Sequence, residues 1–241
     1  MTDETITAGA LLSSLEQCYT IFAHYPFPAD LYSSPLRDAE SIKRQLRSRP
    51  LRQLDGEELG PYASWAMTTV GDDRDYRHFL PRILELAVVT NSYHGVEPQQ
   101  IANKLIYASW TKWPQSEQDA VSSLFVAAFL DCLAKHPEDS MHSAEDWLCG
   151  VAILGLPIGP LLQAWLLQPG VNATLNMADL NRWLSRPVDE YVYWVYVAPE
   201  TVDAIKQWLA QPSIQHRMRD ALPLLSEADC QIVSEYLADH P

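Results

Sequence analysis

Twelve residues from Gly71 to Arg82, GDDRDYRHFLPR, hold three aspartates, three arginines and one histidine. A histidine within reach of a carboxylate is the minimum for general-base hydrolysis. Three aspartates in four positions could also attract a cation or a basic partner. Helical geometry offers a plainer account. Asp72, Asp73 and Asp75 fall where a helix should begin, and negative charge there is favourable by ~0.3–1 kcal/mol. His78 lies one turn from Arg74 and Arg82, and three residues after Asp75. The arginines disfavour its charged form and Asp75 favours it. Arg77 and Arg82 are suited to pairing with carboxylates on neighbouring helices. The balance favours a fold-organising ion-pair node. The alternative is a binding site made of Asp72, Asp73, Arg74, Asp75, His78 and Arg82, with Trp65 close by.

Other routes to chemistry are sparse. There is no phosphate loop, no dinucleotide-binding glycine motif, no H-E-x-x-H and no nucleophile elbow. The acidic run lacks the spaced oxygen ligands and closing glutamate of a calcium loop. His136, Glu138, Asp139 and His142 form a second polar cluster, but no third close ligand is apparent, which favours a linker. Cys18, Cys132, Cys149 and Cys230 are scattered, as buried thiols would be. No catalytic residue, metal ligand or cofactor is assigned.

The elements that must position these residues read as helices. Gly is scarce, with 9 residues, and Pro plentiful, with 17, in a chain of 241. Leu11, Leu15, Tyr19 and Phe22 recur at helical spacing after Thr7. A second helix is expected over Pro35–Arg47 with Leu36 inward, and Asp55 with Glu58 suggests a capping box for a third. Tyr76, Phe79, Leu80, Ile83, Leu84 and Ala87 form one apolar stripe, interrupted by Pro81, which predicts a kink or fresh start near Leu80. Pro98 opens a helix expected to reach Trp110, Pro114 opens a long one to about Lys135, and Ser143 with Asp146 caps another. Trp165-Leu166, Trp183-Leu184 and Trp208-Leu209 are each followed by x-x-Pro, the trace of a helix closing on a buried Trp and Leu. Tyr191–Val197 has strand composition; without a partner strand it is read as a buried helix.

Charge narrows the partners. The net charge of −14 opposes general binding to nucleic acid or anionic lipid and suits a basic protein partner. Six of the 17 basic residues, Arg37, Lys43, Arg44, Arg47, Arg49 and Arg52, crowd one stretch and read as a solvated helix face. The start, MTDETITAG, lacks a signal-peptide pattern, and no apolar run approaches a membrane span. A cytoplasmic location follows as an expectation.

The segments AMTTVGDDRDYRHFLPRILEL, KLIYASWTKWPQSEQDAV and EDWLCGVAILG, from about Trp65 to Gly155, resemble an all-helical bacterial family with a D-Y-R-H-F-L-P-R-I-L-E-L core. The resemblance implies a bacterial cytoplasmic helical protein and carries no activity with it. Together these readings predict an all-α protein of ten to twelve helices, an array or irregular bundle of helical hairpins with a HEAT-like solenoid among its forms. They predict one domain over 1–241, with any sub-division near 137–143. The expected function is a non-catalytic protein-binding or scaffold protein, immunity-like in one version. The alternative is a hydrolytic enzyme using the Gly71–Arg82 cluster. No oligomeric state follows from the sequence.

Overall fold

Prolines and polar side chains decide where the helices begin. Asp38, Asp55, Ser143 and Ser226 each accept a backbone N–H at a helix start, and Asp55–Glu58 and Ser143–Asp146 close full capping boxes. Prolines occupy the first turn of four further helices. A computed structural model describes residues 3–89, 95–186 and 193–240, and only the backbone of 3–7. Among these are twelve α-helices and no strand, only isolated bridges. The first six are α1 (Asp3–Phe22), α2 (Ala39–Leu46), α3 (Gly56–Trp65), α4 (Asp73–Val89), α5 (Pro98–Tyr107) and α6 (Gln115–Leu133). The second six are α7 (Ala144–Ile153), α8 (Gly159–Leu167), α9 (Val171–Leu184), α10 (Pro199–Leu209), α11 (Pro212–Ala221) and α12 (Glu227–Asp239). None is long and apolar enough to cross a membrane.

The packing is that of an irregular bundle. α1 lies mainly against α6 and also on α4, α5 and α6 both meet α7, and α9 collects α7, α10, α11 and α12. A strict solenoid, in which each unit touches only its neighbours, would not bring α1 onto α6. The buried side chains form one connected core from Leu11 to Tyr236. The α4 stripe is wholly inside it: Tyr76, Phe79, Leu80, Ile83, Leu84 and Ala87 are all buried.

Several local expectations are corrected. α2 begins at Ala39, because Asp38 accepts the Ser41 N–H at 3.0 Å and starts the helix there; Leu36 is exposed. Pro81 returns no N–H to the Arg77 carbonyl, yet α4 runs unbroken through it, with the fresh start at Leu80 absent. Burial of the stripe on both sides of Pro81 outweighs the lost bond. α5 stops at Tyr107, and Trp110 is buried in a separate 3-10 turn after Ser109 takes a left-handed φ of 53°. Of Tyr191–Val197, Tyr191 and Val192 lie outside the described residues, and Trp194–Tyr196 form a single 3-10 turn with only Trp194 of the three buried. Three Trp-Leu pairs do close helices before a proline, in α8, α9 and α10, but both members are buried only in α10; Leu166 and Trp183 are half-buried.

Where glycine is scarce, helix C-termini are closed by side chains from neighbouring helices. Asn172 and Asn176 of α9 donate to the Ala134 and Lys135 carbonyls beyond α6, at 2.8 and 3.0 Å. Lys104 of α5 donates to the Ala66 carbonyl beyond α3 at 2.7 Å. Tyr236 of α12 donates to the Leu209 carbonyl that ends α10. Arg217 of α11 donates to the carbonyls of Leu166 (2.9 Å), Gln168 (2.6 Å) and Gly170 (3.3 Å) and to Thr174 Oγ1 (2.8 Å), closing α8. Arg217→Ala is expected to cost roughly 2–3 kcal/mol in a urea melt. Arg217→Lys should restore little, since one ammonium cannot reproduce the planar fork. An Ala variant as stable as the parent would show that these bonds exchange freely with water.

Candidate functional site

Asp72 and Asp75 make a cap. Asp72 Oδ1 accepts the Arg74 and Asp75 N–H groups, both at 2.9 Å, and Asp75 Oδ2 accepts the Asp72 N–H at 3.1 Å. Gly71 precedes them at φ +66°, and a Cβ there would come within 2.9 Å of Asp75 Oδ2. Burial, with the neighbouring Asp72 and Asp73 charges, pushes the Asp75 carboxyl up from its ordinary value. Arg74 is exposed.

Asp73 turns to Arg77, whose Nη2 donates to it at 2.5 Å. Arg77 Nη1 donates to the Tyr25 hydroxyl at 2.6 Å, and that hydroxyl donates to Glu117 Oε1 of α6 at 2.8 Å. The guanidinium lies 4.2 Å over the Trp113 ring. Arg77 Nη1 and Glu117 Oε2 are 3.6 Å apart, near enough to pair as charges and too far to share a hydrogen bond. Glu117 is 1% exposed, and its carboxyl meets Arg77, Tyr25 and, at 3.7 Å, His24 Nε2. The turn that follows α1 is thus tied to α4 and α6 at one point.

A second tie sits further along α4. Arg82 donates to the Leu54 carbonyl at 2.7 Å and to Glu85 Oε2 at 2.6 Å, and Tyr19 of α1 donates to the same Glu85 oxygen. Arg52 stacks 3.6 Å over the Tyr19 ring and grips Glu16 with two bonds of 2.7 Å. Of the two arginines expected to pair with carboxylates on neighbouring helices, Arg77 does so with Glu117 of α6, whereas the carboxylate that Arg82 meets is Glu85 on its own helix.

His78 stands between them. Its Nδ1 is 2.8 Å from the Tyr25 carbonyl, which fixes the proton on Nδ1. Nε2 has no hydrogen-bond partner in the protein, and His78 lines a cleft of 530 Å³ between α1, the Pro50–Gln53 turn and α4. Burial lowers the His78 pKa, opposed by the Tyr25 bond. The cause is desolvation, where the helical spacing had pointed to Arg74, Arg82 and Asp75. Among the described residues no carboxylate lines this cleft.

Trp65 lies elsewhere, half-buried, with Arg37 3.9 Å over its ring. The 31–36 segment runs beside the 66–71 loop: Gly71 N donates to Tyr32 O at 2.7 Å and Ser34 N to Thr69 O at 2.8 Å. Tyr32 and Leu36 on that segment are 72% and 84% exposed. The basic stretch is largely exposed, at Arg44, Arg47, Arg49 and Arg52, yet most of its side chains are also engaged. Arg37 stacks on Trp65, Arg47 on Phe27 and Arg52 on Tyr19, Lys43 bonds the Ala29 carbonyl, and Arg49 pairs with Glu58 at 3.3 Å. His136 binds Asp229 of α12 at 3.0 Å, while His142 is buried, so the 136–142 cluster is divided. Among the described residues no three His, Cys, Asp or Glu converge as a metal site requires.

Sequence reasoning missed Tyr19, Tyr25, Glu85 and Glu117. Glu117 sits in the first turn of α6, where an acidic residue needs no partner from elsewhere, and its pairing with Arg77 of α4 is a long-range contact. Comparisons with protein-family models, curated proteins and solved structures gave no match.

Proposed function

We propose that this is a non-catalytic bacterial scaffold or binding protein that recognises another protein through the surface of Tyr32, Leu36 and Trp65. The observation that carries the reading is the exposure of Tyr32 and Leu36 on a segment pinned to the 66–71 loop. A segment whose backbone is already held in place loses little main-chain freedom on binding. Trp, Tyr and Arg are also the residue types that dominate binding energy at interfaces, and Arg37 braces Trp65 from one side. The net charge of −14 favours a partner with a basic surface. An immunity-like role, covering a basic enzyme in the cytoplasm, is the version that uses both features.

The hydrolytic alternative is less well supported. It needs His78 and a carboxylate in one pocket, but Asp72 and Asp75 are spent on the cap, Asp73 on Arg77, and Glu85 on Tyr19 and Arg82.

The test is affinity capture from the native host, with the wild type beside a Tyr32→Ala/Leu36→Asp variant. The wild type is expected to retain a protein that the variant loses at least tenfold, with unchanged melting because both side chains are exposed. Equal capture by both proteins, or none by the wild type, would reject the assignment.

A further inference from the structure

The cleft beside His78 has a composition that selects a ligand. At 530 Å³ it falls within the usual range for small-molecule sites. Its polar groups are almost all engaged elsewhere. The Tyr19 hydroxyl is committed to Glu85, the Tyr25 hydroxyl to Glu117 and Arg77, and the Thr20 hydroxyl to the Glu16 carbonyl. The Arg52 charge is met by Glu16 in a two-bond grip. Gln53 is at the exposed mouth. His78 Nε2 forms no hydrogen bond in the protein, and its lone pair is free because Nδ1 carries the proton towards the Tyr25 carbonyl; of the other polar side chains lining the cleft, only the exposed Gln53 amide is likewise unengaged. The rest of the wall is apolar, including Phe22, Pro50, Leu51 and Pro81.

We propose that this cleft binds a neutral aromatic molecule carrying one hydrogen-bond donor, of the phenol or indole class, with the donor on His78 Nε2. Neutrality follows from the wall, which offers no unpaired charge to meet an ionised ligand. A donor on the ligand follows from the half-buried His78 acceptor, since the exposed Gln53 amide is already met by water. An aromatic body follows from the apolar walls, since a rigid ring buries much area at little conformational cost. Phenol O–H and indole N–H are also stronger donors than an aliphatic hydroxyl, which suits an imidazole acceptor. The site is separate from the Tyr32–Leu36 surface, and its success or failure does not depend on that reading.

The probes are p-cresol and indole, with toluene as the ring without a donor. Binding is read by titration calorimetry and by the ring proton shifts of His78. Both probes are expected to bind saturably and move the His78 resonances. Toluene should bind about tenfold more weakly, the loss of one hydrogen bond. Ala23 is exposed at the cleft wall, so Ala23→Trp should fill the site without disturbing the fold and abolish binding. His78→Phe should weaken p-cresol about tenfold while leaving toluene unchanged. If neither probe saturates in the wild type, the proposal fails. It also fails if Ala23→Trp binds normally, or if toluene matches p-cresol.

Discussion

Replacing Glu145 by Gln is expected to stabilise the protein by about 3 kcal/mol at pH 7, and by more at pH 9. Glu145 on α7 is 6% exposed. Burial, then the adjacent Asp146 charge, pushes its pKa up from 4.5 to about 8. The folded protein therefore holds a proton that the unfolded chain releases once the pH passes 4.5. Stability must fall as pH rises through this window, and the penalty levels off above about 8. Below 4.5 both states are protonated and the variant has no advantage. Gln keeps a carbonyl oxygen for the Trp194 Nε1–H, which now donates to Glu145 Oε1, and it never ionises. Melts of both proteins at pH 5, 7 and 9 provide the check. The gap should widen with pH, reaching on the order of 10 °C at pH 7 for a chain of this size. Parallel curves at all three pH values would mean that Glu145 is not held neutral by the fold.

The second large effect concerns Arg77. Arg77→Met should destabilise by roughly 3–5 kcal/mol, because it leaves the buried Glu117 carboxyl with the Tyr25 hydroxyl and, 3.7 Å away, the largely exposed His24 ring. Arg77→Met combined with Glu117→Leu should cost far less than the two single changes added together, since no charge then remains inside. A double-mutant cycle by urea denaturation measures the coupling. Additive losses would contradict the geometry, in which the two charges sit 3.6 Å apart.

What could be read in the sequence was local. The Asp55–Glu58 and Ser143–Asp146 boxes span four residues each, and both closed as spaced. The α4 stripe repeats every three or four residues, and all six of its members are buried. The W-L-x-x-P ends of α8, α9 and α10 are local in the same sense. The candidate site was only half legible. That Arg77 and Arg82 would tie helices together followed from their type and place. Their partners did not, because Tyr25 and Glu117 are 92 residues apart and His78 finds its carbonyl 53 residues upstream. Leu36 misled for a related reason: its spacing suits a helix, but Asp38 starts that helix two residues later. The basic stretch was legible as an exposed face at Arg44, Arg47, Arg49 and Arg52, but charge counts do not reveal the aromatic rings of Phe27, Tyr19 and Trp65 beneath three of its guanidinium groups.

Closing the helix ends from outside has a dynamic consequence. A helix that ends on its own glycine can lose its last turn without disturbing anything else. Here the last carbonyls of α6, α8 and α10 are bonded by side chains of α9, α11 and α12. Unwinding one of those ends removes a contact that docks another helix. Small openings are therefore coupled to larger ones, and the C-terminal helices should exchange their amide hydrogens as one cooperative unit.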